Sequence, residues 1–215
     1  MDYKLKYIKY KSKYNLLCNS ILGGATSDIK IKYFIQSLNL PEREKNVKDI
    51  KSILPEAEIF QSINGYNINE TKNELTKSRL KYKNLEFKTY GTLANYLTKF
   101  KAFKYQIENN IEYMCLLEDD VIITDRNFDK FLKSKLYLLK TNNILRLSNW
   151  GEGYLTNVEG AKNIIDSINK NGIISNIDNQ LRNNCGNEVF INAPIKTSVS
   201  TNKGDCLKTK TFYKP

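Results

Sequence analysis

Three consecutive carboxylates, Glu118-Asp119-Asp120, interrupt an otherwise apolar run, with Tyr113-Met114-Cys115-Leu116-Leu117 before them and Val121-Ile122-Ile123 after. An apolar segment without alternation is what a strand needs when both of its faces are covered, as in sheets flanked by helices. Val121 to Ile123 resumes a β-type pattern. Adjacent carboxylates repel one another and are costly to desolvate. At the end of a buried strand they call for a positive partner. Acidic oxygen clusters suit Mg²⁺ or Mn²⁺, and such an ion commonly also holds substrate phosphates. An acidic surface loop at a strand end would use the same residue types; the apolar flanks on both sides favour a site.

Around this segment, strand and helix signals alternate. Strands are expected at Lys32 to Leu38, Glu58 to Ile63, Tyr113 to Leu117, Val121 to Ile123, Ile144 to Leu147, Tyr154 to Thr156 and Val189 to Ile191. Helices are expected at Pro41 to Ile53, Glu70 to Leu80, Thr92 to Glu108, from Asn127 through Leu139, from Asn157 to Lys170, and as a turn or two at Ile177 to Arg182. Pro41 suits a first helical position, Asn127 and Asn157 suit N-caps, and Asn171-Gly172 reads as a stop. The tail beyond Lys196 has little periodic signal. The pattern predicts an α/β domain with a mostly parallel sheet flanked by helices. Ligands of open α/β sheets bind beyond the carboxyl ends of the strands. That rule brings Asn39, Arg43 and the acid triplet to one edge.

The chain of 215 residues contains no histidine. This removes Ser-His-Asp and Cys-His catalysis and His-ligated zinc, and leaves acid–base work to Asp, Glu, Lys, Tyr or Cys. The four cysteines, Cys18, Cys115, Cys185 and Cys206, lack C-x-x-C spacing, which argues against structural zinc. Free thiols are the default; Cys185 and Cys206 could pair in an oxidising compartment. No G-x-G-x-x-G or Walker motif is present, so phosphates would be held by metal and Lys/Arg rather than by a glycine cradle.

A net charge of +11 arises from 34 Lys and Arg against 23 Asp and Glu, spread along a Lys-, Asn- and Ile-rich chain. Such richness fits AT-rich coding and does not concentrate into a nucleic-acid stripe. The Lys/Tyr-rich start, Met1 to Tyr14, comes closest to one. We expect no nucleic-acid partner, although a basic surface attracts phosphorylated small molecules. No apolar stretch reaches eighteen residues, so no membrane span is expected. The expectation is a soluble protein of the cytoplasm or of a virus factory in a host cytoplasm, with endomembrane association left open. Residues 1–30 are expected to be an extension of unclear role, followed by one domain over 31–215.

The order of short motifs resembles glycosyltransferase family 25, which includes lipopolysaccharide galactosyltransferases and collagen hydroxylysine galactosyltransferases. The family's Ile-Asn-Leu followed by Arg corresponds to Leu38-Asn39-Leu40-Pro41-Glu42-Arg43. Its Asp-Gly after the next strand corresponds to Asn64-Gly65, with Asn for Asp. A Gly-rich helix start carrying Leu-Ser-His corresponds to Gly91 through Lys99, with Lys99 for the histidine. Leu-Glu-Asp-Asp-Val is Leu117 to Val121, unchanged. Gly151, Tyr154-Leu155 and Gly160-Ala161-Lys162 match a further element, and Ile177-Asp178-Asn179-Gln180-Leu181 the family's later Asp. The resemblance spans roughly Tyr33 to Leu181.

The resemblance implies a single GT-A-type nucleotide-sugar-binding domain. It implies a metal-dependent hexosyltransferase that moves galactose or glucose from a UDP-sugar to a hydroxyl of a glycan or glycoprotein acceptor, hydroxylysine included, with inversion. Glu118-Asp119-Asp120 takes the D-x-D position: Asp120 as metal ligand for Mn²⁺ or Mg²⁺, Glu118 on the ribose or the metal's water, and Asp119 towards the donor sugar. Asn39, Arg43, Asn64 and Gly65 fall at the nucleotide end. Lys99 either brings positive charge to the diphosphate or is one more solvated lysine. Asp178 is the candidate base, or a helix cap, or a hydrogen-bond partner of the donor; Glu152 and Glu188 are substitutes for the base. Trp150, with Glu152, is placed on the acceptor, where its ring would stack on a sugar face; a core anchor is the other reading. The departures at Lys99 and Asn64 leave a second function open, a catalytically weakened domain that only binds. A third is a basic nucleic-acid-binding protein.

Overall fold

Side chains alternate across β1 (Lys32–Ser37) and β3 (Tyr113–Glu118) and divide the core into two layers. Phe34, Met114 and Leu116 enter one cluster, while Tyr33, Ile35, Cys115 and Leu117 enter the other. This is why β3 is apolar without alternation: both faces of its sheet are covered. The computed structural model describes residues 29–81 and 89–197.

The remaining elements follow in chain order. A 3₁₀ turn (Pro41–Arg43) runs into α1 (Glu44–Ile53), then β2 (Glu58–Gln61), α2 (Ile68–Ser78) and α3 (Tyr90–Glu108). After β3 come β4 (Val121–Ile123), α4 (Phe128–Lys133), a 3₁₀ segment (Leu136–Lys140), β5 (Ile144–Arg146) and β6 (Gly153–Asn157). The described chain closes with α5 (Val158–Asn171), α6 (Ile177–Asn184), β7 (Glu188–Phe190) and β8 (Ile195–Thr197). Six strands form the main sheet in the order β2-β1-β3-β6-β5-β7, and β4 pairs with β8 in a separate ribbon. All neighbours in the main sheet are parallel except β6, which runs against both β3 and β5. The expected α/β class with a mostly parallel, helix-flanked sheet is what is observed.

One face of the sheet is covered by α3, α5 and α6, through Leu93, Leu97, Phe103, Ile164, Ile168 and Leu181. The other is covered by α1, α4 and the second 3₁₀ segment, through Ile50, Phe128, Leu132, Leu136 and Leu139. Helix α3 is buried around most of its circumference, with Tyr96, Leu97, Lys99, Phe100, Ala102 and Phe103 all inside.

Side-chain caps set helix starts more sharply than apolar spacing does. Asn67 accepts from Glu70 N, so α2 begins at Ile68, two residues before its expected start. Thr89 accepts from Thr92 N, so α3 begins at Tyr90. Asn157 and Asn176 cap α5 and α6 in the same way. Because Asn176 holds that position, Asp178 is not the N-cap of α6.

The helix expected from Asn127 through Leu139 is two pieces. Asn127 makes no side-chain cap; instead Asp125 Oδ1 accepts from Asn127 N at 2.8 Å. Helix α4 stops at Lys133, and the chain resumes as a 3₁₀ segment at Leu136. Phe128, Leu132, Leu136 and Leu139 are buried all the same, because the burial pattern tolerates the change of pitch. Strand β8 had no counterpart in the sequence reading. The extension, residues 1–30, lies almost wholly outside the described residues, as do Cys18 and Cys206, and with Cys206 the partner in the Cys185 pairing. Among the described residues, no helix is long and apolar enough to cross a membrane.

Candidate functional site

A cavity of about 140 Å³ opens beyond the carboxyl ends of β1 and β3, where the sheet rule places a ligand. Its walls include Gln36, Ser37, Arg43, Gly65, Tyr66, Asn95 and all three members of the acid triplet. Register explains the convergence: Gln36 of β1 lies opposite Glu118 of β3. Gly65 brings the loop after β2 against the start of α3, where a Cβ at Gly65 would stand 2.4 Å from Gly91 Cα. Only a glycine at position 65 allows that approach.

The three carboxylates do different things. Asp119 turns towards β1: its Oδ2 accepts from Ser37 Oγ at 2.6 Å, and its Oδ1 lies 3.9 Å from Arg43 Nε. Asp120 Oδ1 is buried without a hydrogen-bond partner. Burial pushes the Asp120 carboxyl above the usual aspartate range; Arg43 pulls it down, and Asp119 and Glu152 push it further up. Glu118 Oε1 meets Lys99 Nζ at 2.9 Å and receives a long contact from Asn95 Nδ2 at 3.4 Å. Burial raises the Glu118 carboxyl, and the Lys99 ammonium opposes that shift.

Lys99 is 1 % exposed, so it is not a solvated lysine. An ammonium has three protons to give, and three acceptors surround it: Glu118 Oε1 at 2.9 Å, Asp178 Oδ1 at 2.9 Å and the Gly151 carbonyl at 3.1 Å. Its Nζ also lies 5.1 Å from the centroid of the Tyr154 ring. Burial works against the charged form, but Asp178 and Glu118 outweigh it and hold Lys99 well above the ordinary lysine value. Lys99 thus turns towards Glu118, Asp178 and the Gly151 carbonyl, while Arg43 is a cation on the cavity wall.

Asp178, in the first turn of α6, receives two donors on one oxygen, Lys99 and the Tyr154 hydroxyl, the latter at 2.7 Å. Gly151, at φ +85°, packs directly on this pair: a Cβ there would meet Asp178 Oδ1 at 2.5 Å and the Tyr154 hydroxyl oxygen at 2.7 Å. Trp150, the residue before it, is 82 % exposed, which rules out a core anchor. Its loop is braced from below. Arg146 donates to the carbonyls of Ser148 and Asn149 at 2.7 and 2.8 Å, pairs with Glu188 Oε1 at 2.7 Å and lies 4.9 Å from the Phe190 ring centroid. Glu188 is therefore engaged by Arg146. Glu152 is buried, with its carboxylate held by the hydroxyls of Ser148 and Thr197.

Two nucleotide-end expectations have a local structural use. Asn39 adopts φ +57°, a left-handed conformation that Asn tolerates, and its amide donates to Gln61 Oε1 at 2.8 Å. It ties the end of β1 to β2, while its neighbours Leu38 and Leu40 face the cavity. Asn64 Oδ1 accepts from Tyr66 N at 2.9 Å, an Asx turn that aims Gly65 and Tyr66 at the cavity.

The residues that sequence reasoning missed are Ser37, Gln36, Asn95 and Tyr154. Asn95 and Lys99 are four apart on one helix, which places them on one face; that spacing was the available signal. Tyr154 stood inside a recognised motif without a role.

Among the described residues, no group of three or more His, Cys, Asp or Glu closes around a single metal position. A Mg²⁺-type ion needs less from the protein, since one or two carboxylates suffice when phosphates and water complete its shell. Asp120, with an unpartnered buried oxygen, fits that requirement, and Asp119 stands next to it.

We found no match among curated proteins. Among solved structures, a glycosyltransferase involved in the glycosylation of the major capsid of PBCV-1 aligns at 12 % identity over 81 % of this chain and 95 % of that one, with a TM-score of 0.40. The family model for glycosyltransferase family 25 (LPS biosynthesis protein) matches residues 30–159. That match covers more than half of the chain and takes in both the cavity strands and the intact acid triplet; the protein belongs to glycosyltransferase family 25 and is a glycosyltransferase.

Proposed function

We propose that the protein transfers a hexose from a UDP-sugar to a hydroxyl acceptor, with inversion, using a GT-A-type donor site at the β1–β3 edge. The observation that carries this reading is Asp120 Oδ1, a buried carboxylate oxygen without a partner in the cavity that Asp119 and Arg43 also line. Desolvating a carboxylate without compensation is costly, so the site is built for a cation that arrives with its ligand.

Asp120 would hold Mn²⁺ or Mg²⁺, with Asp119 beside it. The bound ion would supply Lewis-acid stabilisation of the departing nucleoside diphosphate. Arg43 adds a fixed positive charge to the same wall, set by the 3₁₀ turn after β1. Ser37 holds Asp119 in place, so its charge need not reorganise as the donor reacts. Tyr66, 54 % exposed at the cavity wall, offers a ring to the nucleotide end.

On the acceptor side, Trp150 presents its ring to solvent beside Gly151, suited to the apolar face of a sugar. Asp178 takes the acceptor hydroxyl proton. The freed oxygen forms its bond to the donor's anomeric carbon as the bond from that carbon to the diphosphate breaks on the opposite face. Lys99 and Tyr154 both donate to Asp178 Oδ1, which leaves Oδ2 as the oxygen we assign to the proton.

The test is release of UDP from a panel of UDP-hexoses, with and without Mn²⁺. Release that needs the ion and is lost in Asp120→Ala supports the assignment. Equal release in Asp120→Ala, or none from any UDP-hexose with any divalent ion, overturns it.

A further inference from the structure

Lys99 sits where the family motif carries a histidine, and an imidazole cannot do what this side chain does. An ammonium radiates three protons in three directions; an imidazolium has two, in the plane of its ring. Here all three protons are used, each on a different segment: Glu118 at the end of β3, Asp178 in the first turn of α6, and the Gly151 carbonyl in the loop that carries Trp150. The side chain is 1 % exposed and reaches them from the buried face of α3, with Tyr154 beneath its ammonium. It therefore joins the first member of the acid triplet, the candidate base and the acceptor loop through one atom. Glu118 differs from Asp120 in the same respect. Its Oε1 already serves an internal cation, whereas Asp120 Oδ1 serves nothing.

We infer that Lys99 is a positioning residue that fixes Asp178 and the Gly151 loop against β3, and that Glu118 is committed to this internal cation rather than to a divalent metal. The inference rests on the donor-site reading above and divides its acid triplet. Asp120 faces the donor and its ion. Glu118 faces inward and transmits the position of β3 to the acceptor side. Asn95 and Gln36 extend the same line: Gln36 Nε2 donates to Asn95 Oδ1 at 2.7 Å, and Asn95 in turn approaches Glu118.

The experiment measures Mn²⁺ affinity by titration calorimetry in the presence of UDP, alongside steady-state kinetics, for the full chain and for Glu118→Gln, Asp120→Asn, Lys99→Met and the double variant Lys99→Met/Glu118→Gln. Outer partners of a metal site are worth roughly 10- to 100-fold, so loss of a direct ligand should weaken Mn²⁺ by more than about tenfold. That loss is expected for Asp120→Asn and not for Glu118→Gln, which should stay within about threefold of the unaltered chain. Lys99→Met should lower kcat by roughly 10- to 100-fold while the donor KM and the Mn²⁺ affinity hold.

The double variant leaves one carboxylate fewer without a cation, so it reports on the site where Lys99→Met alone fails to fold; it should show the same loss of kcat with the same retained affinity. Glu118→Gln weakening Mn²⁺ as much as Asp120→Asn overturns this inference and leaves the donor-site reading standing. A donor KM that rises in step with the fall in kcat overturns the positioning role. No Mn²⁺ binding by the unaltered chain overturns the donor-site reading, and this inference with it.

Discussion

The Tyr154 hydroxyl and the Asp178 carboxylate are joined at 2.7 Å, across the interface between β6 and α6. The same Asp178 oxygen accepts from Lys99. Hydrogen bonds to a charged group are worth about 1.5–3 kcal/mol. Tyr154→Phe should therefore lower unfolding stability by about that amount, and it should lower kcat because Asp178 loses one of its two restraints. Urea denaturation and initial rates measure the two effects. A variant as stable and as fast as the unaltered protein would show that the contact carries neither.

The pH dependence of stability should reveal Asp120. Its carboxyl is raised in the folded state, chiefly by burial. A raised group favours the fold below its ordinary value and loses that contribution as pH rises through the folded value. At pH 7, without divalent ions, Asp120→Asn should then melt higher than the parent. About 2–4 °C is what ~1 kcal/mol produces in a chain of this size. The gap should close as pH falls below the ordinary aspartate value of about 3.9, where both states are protonated. Mn²⁺ with UDP should raise the melting point of the parent and not of the variant. Thermal scans at pH 3.5 and 7 check both signs.

Two glycines with positive φ separate strain from contact. Gly151 and Gly186 have φ values of +85° and +64°. A Cβ at Gly186 meets nothing within 4 Å, so Gly186→Ala should cost only the conformational term, about 1–2 kcal/mol. A Cβ at Gly151 collides with Asp178 and Tyr154. Gly151→Ala should cost more than Gly186→Ala in chemical denaturation and should also depress transfer, which Gly186→Ala should leave unchanged.

Trp150 is exposed enough that its removal should hardly touch the fold. Trp150→Ala is expected within about ±0.5 kcal/mol of the parent. Acceptor KM should rise, while hydrolysis of the donor in the absence of acceptor should not change. Comparing the two reactions in one preparation separates an acceptor contact from a general loss of activity.

The chain's local rules are legible in its residues. The unalternating apolar run before Glu118 announces a strand covered on both faces, and β3 is one. Asn157 announces a cap, and it accepts from Gly160 N. The start of α2 differs from apolar spacing because Asn67 caps the helix, which begins at Ile68 rather than Glu70. The spacing of Phe128, Leu132, Leu136 and Leu139 fits one helix from Asn127 and equally fits an α-helix followed by a 3₁₀ segment, so the break at Ser134 has no sequence signal. Strand β8 escaped notice because three residues, Ile195-Lys196-Thr197, carry no period of their own and become a strand only by pairing with β4.

The sequence by itself determined the sheet class, the order of the elements and the presence of the acid triplet at a strand's carboxyl end, because burial period and capping chemistry are properties of neighbouring residues. Tertiary structure alone decided what each carboxylate faces. Lys99 and Asp178 are 79 residues apart, and no local rule relates residues at that distance. Only the packing of α3 and α6 on one face of the sheet puts a buried ammonium between Glu118 and Asp178, while Asp120 stays on the cavity wall with its Oδ1 unpartnered.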